Sequence, residues 1–421
     1  MKEYLKPLIP FIVFFGIIYT PQFDSYDIVG PQWFLLAVVS LVFIFLNLSN
    51  LTNALSSSVT IRIYLSFLIF AFFSFIYARN VSLFFHDFAR TFVTFILVII
   101  FILYIKKETN FFRNFSILIS FFLLYEVIYS LNPIIIEIYN NGLKILDATS
   151  INLMSLRGVT GNKNIAAASI SLKSVFAIYL LFSSKNISVK FIYFILIFFT
   201  SLNLFMLSAR ASLLSFFFIL LLFLVYSIFK FYNTKSKSLL ISLFFLIGSI
   251  TSSFVLSNIL LPNENITVAN RISSIEFTNE SSSKRLELWQ GALDFIYNNP
   301  LIGCGLGNWK IESAYYMRNS GADYLIPYHA HNDFLEITTE LGIIGGFLYL
   351  LIFFSSGFLI IQYFIKSKFE LHFLVIIAAF SVYIIDSLLN FPMARPIMQV
   401  PFAFVIAFIA SNHKRFLFHE K

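Results

Sequence analysis

Residues 211–229 read ASLLSFFFILLLFLVYSIF, nineteen positions without one charged side chain. A run of that length and composition is long enough to cross a bilayer as a helix. Inside hydrocarbon a helix is favoured because it satisfies every backbone N–H and C=O within the segment. Comparable runs recur outward in both directions. They lie near 5–20, 31–48, 60–78, 88–105, 111–130, 165–183, 189–207, 239–257, 335–361, 371–390 and 396–412, which makes about twelve spans in all. The runs are continuous rather than alternating, which excludes a β-barrel. Of the 421 residues 59% are hydrophobic and only 12% charged, about half the charged fraction of a soluble domain. The expected fold is all-α and integral to the membrane.

Charge sets the expected orientation. With the N-terminus inside, the inner connections hold Lys2, Lys6, Arg62, Lys106, Lys107, Arg113, Lys185, Lys190, Lys230, Lys235, Lys237, Lys366, Lys368, Lys414, Arg415 and Lys421. The short outer connections hold only Arg79, Arg90, Arg210 and Arg395. This is a positive-inside pattern. It accounts for much of the net charge of +8 and removes the reason to invoke nucleic acid. Leu5–Tyr19 lacks a small-residue cleavage site after its apolar run and reads as an uncleaved first span. The single cysteine, Cys304, can form no disulfide within the chain.

The chain therefore divides into spans one to nine (1–257, with an outer segment at 131–164), a large outer loop (258–334) and spans ten to twelve (335–421). The loop carries Arg271, Lys284, Arg285 and Lys310. Ser281–Asn299 reads as a helix with Leu286, Trp289, Leu293 and Ile296 on one stripe, lying on the bilayer with Trp289 at headgroup level. Arg285 projects from nearly the same face as Trp289. Gly303-Cys304-Gly305-Leu306-Gly307 reads as a tight turn; no strand precedes it, so it is no dinucleotide fingerprint. After Pro327 come His329, His331 and a cap at Asn332 or Asp333 for the next span. His331 thus sits at a helix N-terminus, a natural anion site whose positive end favours a neutral imidazole.

Each candidate has a plain structural alternative. Arg210, in Ser208-Ala209-Arg210-Ala211-Ser212, is an arginine at membrane depth, but it can also snorkel to the interface. Arg285 and Arg271 can be solvated loop charges. Lys163 either reaches a phosphate or follows a helix cap. Glu126, Lys173 and Asp386 lie inside spans and either pair with each other or line a polar cavity. His329 and His331, with Asp333 or Glu336, form only a weak metal pattern, and no metal site is expected.

Four motifs in order resemble the O-antigen ligase family, whose wider membership includes O-antigen polymerases and bacterial protein O-oligosaccharyltransferases. They are Gly161-Asn162-Lys163-Asn164; Ser208-Ala209-Arg210; Arg285-Leu286-Glu287-Leu288-Trp289 followed by Pro300, Gly303, Gly305 and Asn308; and His331-Asn332 followed after nine residues by Gly342 and, two residues on, Gly345. The resemblance implies a GT-C-like helical architecture in a bacterial inner membrane, with a periplasmic active site. It also implies a glycan donor on undecaprenyl diphosphate, an acceptor hydroxyl on the lipid A core, and no cofactor, metal ion or ATP. On the residues themselves, two arginine forks suit a diphosphate leaving group, and His331 is the best-placed base, with Asp333 and Glu336 behind it. The site residues are then His331, Arg285 and Arg210, with Lys163, Asn332 and Arg271 as further substrate contacts, in the space between loop and bundle. Polymerase and protein-glycosylating activities share these parts. A transporter is the alternative of another class, though the long loops fall after spans five and nine and give no twofold repeat of six spans.

Overall fold

The computed structural model describes residues 6–23, 25–106, 109–141, 156–260, 285–316 and 328–417. Among them every regular element is helical and none is a strand. Among the described residues ten helices are long and apolar enough to cross a membrane, or eleven if the bent pair Gly30–Phe45 and Leu48–Leu55 is one span. The first expected span is a shorter apolar helix, Lys6–Ile17. The second is that bent pair, turned by 81° at its break, where Asn47 and Asn50 interrupt the apolar run.

The chain forms two compact units, each assembled from separated stretches: Met1–Lys107, Glu276–Lys368 and Asp386–Lys421 make the first, and Glu108–Ile275 with Phe369–Ile385 the second.

The first unit contains α1 (Ile9–Ile17), α2 (Gly30–Phe45), α3 (Leu51–Leu55), α4 (Val59–Phe73) and α5 (Val81–Tyr104). It continues with α6 (Arg285–Asn298), α7 (Trp309–Tyr316), α8 (Asp333–Lys366) and α9 (Pro396–Leu417). The pairs α5–α9 and α4–α8 pack most extensively, and α6 lies on α8. Helix α8 is broken: Gly342 holds φ +69° and ψ −178°. The break frees the carbonyls of Thr339 and Glu340. These accept the N–H groups of Cys304 and Gly305 at 3.1 and 2.8 Å, while Ile343 N–H donates to Pro300 O at 2.9 Å. The glycine turn of the loop therefore docks into the opened helix. A Cβ on Gly342 would meet Leu301 O at 2.3 Å, and one on Gly303 would meet Thr339 O at 2.3 Å. The spacing from His331-Asn332 to Gly342 is thus the length of helix between a cap and this docking point.

The turn is fixed on its far side as well. Asn80 N–H donates to Asn308 Oδ1 at 2.7 Å, Leu306 N–H to Ser74 Oγ at 3.1 Å, and Lys310 pairs with Asp87 at 2.9 Å. Lys310 is thereby committed to an ion pair within the unit.

The loop helix α6 packs into the unit through a face other than its apolar stripe. Leu288, Gly291, Ala292 and Phe295 are buried, whereas Leu293 is exposed. The Trp289 indole N–H donates to Ala330 O at 3.1 Å. The small residues Gly291 and Ala292 decide this, since they are buried on the face that packs within the unit, and small side chains allow close approach.

In the second unit, α10 (Thr109–Asn141), α11 (Lys163–Ser183), α12 (Ile187–Leu207), α13 (Arg210–Thr234) and α14 (Lys237–Leu260) pack together. Helix α15 (Leu371–Leu389) belongs to it up to Ile385. Helix α11 is its centre, buried along nearly its whole length. Its Ala166–Ala168 run and its serines let neighbours approach closely. Helix α10 continues past the expected end of the fifth span, through Pro133, to Asn141. The expected outer segment 131–164 thus begins as helix, and 142–155 lie outside the described residues.

Candidate active site

The His331 segment is built by three local choices. His331 adopts φ +53°, a left-handed conformation that costs a side-chain-bearing residue about 1–2 kcal/mol. Asn332 is then extended and caps α8, its Oδ1 accepting from the N–H groups of Phe334 and Leu335 at 3.0 and 3.1 Å. Glu336, one turn on, reaches back: Oε1 meets His329 Nδ1 and Oε2 accepts from Ala330 N–H, both at 2.8 Å. With Trp289 on Ala330 O, residues 329–332 are held from both sides. Asn332, expected as a substrate contact, has its amide oxygen occupied by the cap.

Arg285 opens α6, and its Nη2 donates to Asn390 Oδ1 at 3.1 Å. Asn390 in turn donates to Asp386 Oδ1 at 2.6 Å. Asp386 is therefore engaged within this polar chain. Asp333 Oδ2 accepts Met393 N–H at 3.1 Å, tying the head of α8 to the connection that precedes α9.

That connection supplies two side chains that sequence reasoning passed over. The Phe391 ring stacks on His329, centroids 4.3 Å apart, and meets His331 edge-on at 5.0 Å. The Arg395 guanidinium lies over the same ring, 4.8 Å from its centroid. A cavity of about 30 Å³ adjoins them, lined by Asp87, Arg90, His329, Asp333, Glu336 and Phe391 among others.

The electrostatics follow from this packing. Burial pushes the His331 imidazole down to about 4. The Arg285 guanidinium is the next cause, then His329 and, more weakly, Arg395, against the opposing pull of Glu336. At neutral pH His331 is therefore uncharged, and its buried Nδ1 has no partner among the described residues. Such an imidazole can accept a proton. The arginines beside it can hold an anion.

The other expected residues lie elsewhere. Arg210 and Lys163 belong to the second unit. Arg210 is the first residue of α13, after Ser208 in the left-handed region at φ +48°. Lys163 is the exposed first residue of α11, which Asn162 caps through the N–H groups of Asn164 and Ile165 at 2.9 and 3.4 Å. Arg271 and Lys284 lie outside the described residues. The structure thus brings together His331, Arg285 and Asn332 of the expected set. Among the described residues no group of three or more His, Cys, Asp or Glu side chains is arranged to hold a metal ion.

Residues 194–350 match the O-antigen ligase family model. The matched stretch includes Arg210, Arg285, His331 and the Gly342 break, while Lys163, Phe391 and Arg395 fall outside it. Two curated relatives, each named "Putative polysaccharide ligase", agree with that match. The one from Rickettsia conorii is 36% identical over 77 residues, 17% of this chain and 19% of the relative. The one from Rickettsia prowazekii is 33% identical over 110 residues, 24% of this chain and 26% of the relative. The aligned stretches thus span about a fifth and a quarter of those relatives. Among the described residues the long apolar helices are those of a multi-pass membrane protein.

Proposed function

We propose that the chain is an O-antigen ligase-type glycosyltransferase of a bacterial inner membrane, with its site on the periplasmic side. It moves a glycan from undecaprenyl diphosphate to a hydroxyl of the lipid A core. The observation that carries this reading is the placement of an uncharged, half-buried His331 beside Arg285 at the head of α8, within the stretch that matches the O-antigen ligase family model.

The chemistry is a single displacement. His331 takes the proton of the acceptor hydroxyl as its oxygen bonds to the anomeric carbon. The bond from that carbon to the diphosphate oxygen breaks, and the electron pair leaves with the diphosphate. Negative charge grows on the phosphate oxygens, where Arg285 can supply two parallel N–H donors. A fixed donor of this kind is worth about 3 kcal/mol of barrier in a partly dehydrated site. On their motifs Arg210, Lys163 and Arg271 are separate candidates for contact with the substrate. Displacement from the face opposite the diphosphate inverts the anomeric centre.

Purified full-length protein, given a glycan on undecaprenyl diphosphate and a lipid A core acceptor, should form the joined product without an ion gradient. A product with lengthened donor chains and untouched core would indicate a polymerase instead. Product on a protein hydroxyl would indicate protein O-glycosylation. Gradient-dependent movement of intact donor without transfer would indicate a transporter.

A further inference from the structure

Arg395 is half-buried, and part of its guanidinium group lacks the partners that such a group ordinarily has. Among the described residues its side chain makes no ion pair, and its Nε is buried with no hydrogen-bond partner. Its nearest acidic influence is Asp27, but Asp27 is already engaged by Arg90 and by His86 at 3.3 Å. Burial and the neighbouring charge of Arg90 both work against the Arg395 cation. A guanidinium with a buried, unused donor and no ion pair has the capacity to hold an anion.

Its orientation is fixed all the same. Phe391 lies under it at 4.8 Å, and the same ring is packed by both His329 and His331. One aromatic side chain therefore sets the positions of a cation and two imidazoles together. Arg395 also acts electrostatically on His331, as Arg285 does. The backbone holds the support in place: Gln399 Nε2 donates to Pro392 O at 3.0 Å, and Trp33 Nε1 donates to Ala394 O at 3.3 Å.

We infer that Arg395, carried on Phe391, is a second oxyanion-binding guanidinium of the His331 site and takes the diphosphate of the lipid-linked donor together with Arg285. The inference rests on the reaction proposed above but assigns a residue outside the matched stretch. A phosphate on the acceptor core would present the same chemistry, so the test separates donor from acceptor.

Full-length protein in lipid nanodiscs is titrated with farnesyl diphosphate, a short-chain donor mimic, and binding is read by the rise in unfolding temperature. Wild type and Arg395→Gln are compared, with Arg395→Lys as a second variant that keeps the charge and loses the fork. The expected result is affinity weakened about tenfold or more in both variants, the scale of one lost charge-assisted pair, with unliganded unfolding temperatures unchanged. In the transfer assay the donor KM should rise and the acceptor KM should not. Phe391→Leu should show the same pattern more weakly. Equal diphosphate affinity in wild type and both arginine variants overturns the inference and leaves the proposed reaction standing. A raised acceptor KM with an unchanged donor KM overturns it in favour of an acceptor phosphate. Wild type that neither binds farnesyl diphosphate nor transfers glycan overturns the reaction and the inference together.

Discussion

Among the described residues two polar clusters, one in each unit, are satisfied to different degrees. In the second unit Lys173, fully buried, meets Glu126 at 2.7 Å, and Ser169 donates to both carboxylate oxygens at 3.0 Å. Opposite charges and a hydroxyl complete one another between two helices. In the first unit His331 leaves a buried nitrogen without a partner, and Arg395 has a buried Nε in the same condition. The first cluster is closed by the fold. The second has donors and a proton acceptor to spare, as expected where a substrate completes the set. Burial of charge alone therefore does not mark the site.

The comparison breaks most visibly through His331. His331→Gln should cut transfer by about 10²–10⁴-fold, the usual worth of a general base, while the unfolding temperature stays near that of wild type. A variant that unfolds instead would make His331 another structural group like Lys173. The opposite outcome is expected in the second unit. Lys173→Met leaves Glu126 buried without its cation and should destabilise the protein by about 3–5 kcal/mol. Lys173→Met combined with Glu126→Gln should recover much of that loss. Thermal unfolding of the single and double variants measures both, and equal stability of all three proteins would remove the contrast.

A smaller effect is the pH response. The His331 imidazole stands at about 4 in the fold, below the ordinary value of about 6.5. The unfolded chain then binds more protons between these limits, so stability from this group is complete above about pH 6.5 and declines on acidification towards about pH 4. For catalysis the neutral base persists over the same range. The acid limb of kcat/KM should therefore lie near pH 4, and Arg285→Gln, which removes a cation, should move it upward. A limb near pH 6.5 in the wild type would mean that His331 is not the group titrating. The smallest effect is at the cap. Asn332→Ala should cost about 1 kcal/mol, with a change in rate far below that of His331→Gln. A rate loss equal to that of His331→Gln would instead make Asn332 a substrate contact.

Much of this contrast was legible in the amino-acid sequence, for identifiable reasons. Apolar runs announce membrane helices one by one, so the all-helical fold was readable. The break between Phe45 and Leu48 was not, because a polar pair inside an apolar run reads as a span end. His331, Arg285 and Gly342 were legible through their spacing, and the structure supplies its physical basis in a helix opened for a glycine turn. The packed face of α6 was not legible, because Trp289 and Leu293 outweigh Gly291 and Ala292 on any hydrophobic scale, although the small residues govern close packing. Arg395 and Phe391 were hidden by distance. They stand more than fifty residues from His331, in a connection whose only evident feature was one positive charge. Only the fold brings that connection to the histidines.

The decisive measurement is the yield of free undecaprenyl diphosphate against new glycosidic bond in purified wild type and Arg285→Ala. The expected result is one diphosphate released per glycan joined to the core in the wild type. In Arg285→Ala both should fall together by about a hundredfold, in line with the loss of a fixed oxyanion donor, in a protein that still folds. Full and coupled turnover by Arg285→Ala would contradict the assignment of the diphosphate to this end of the molecule.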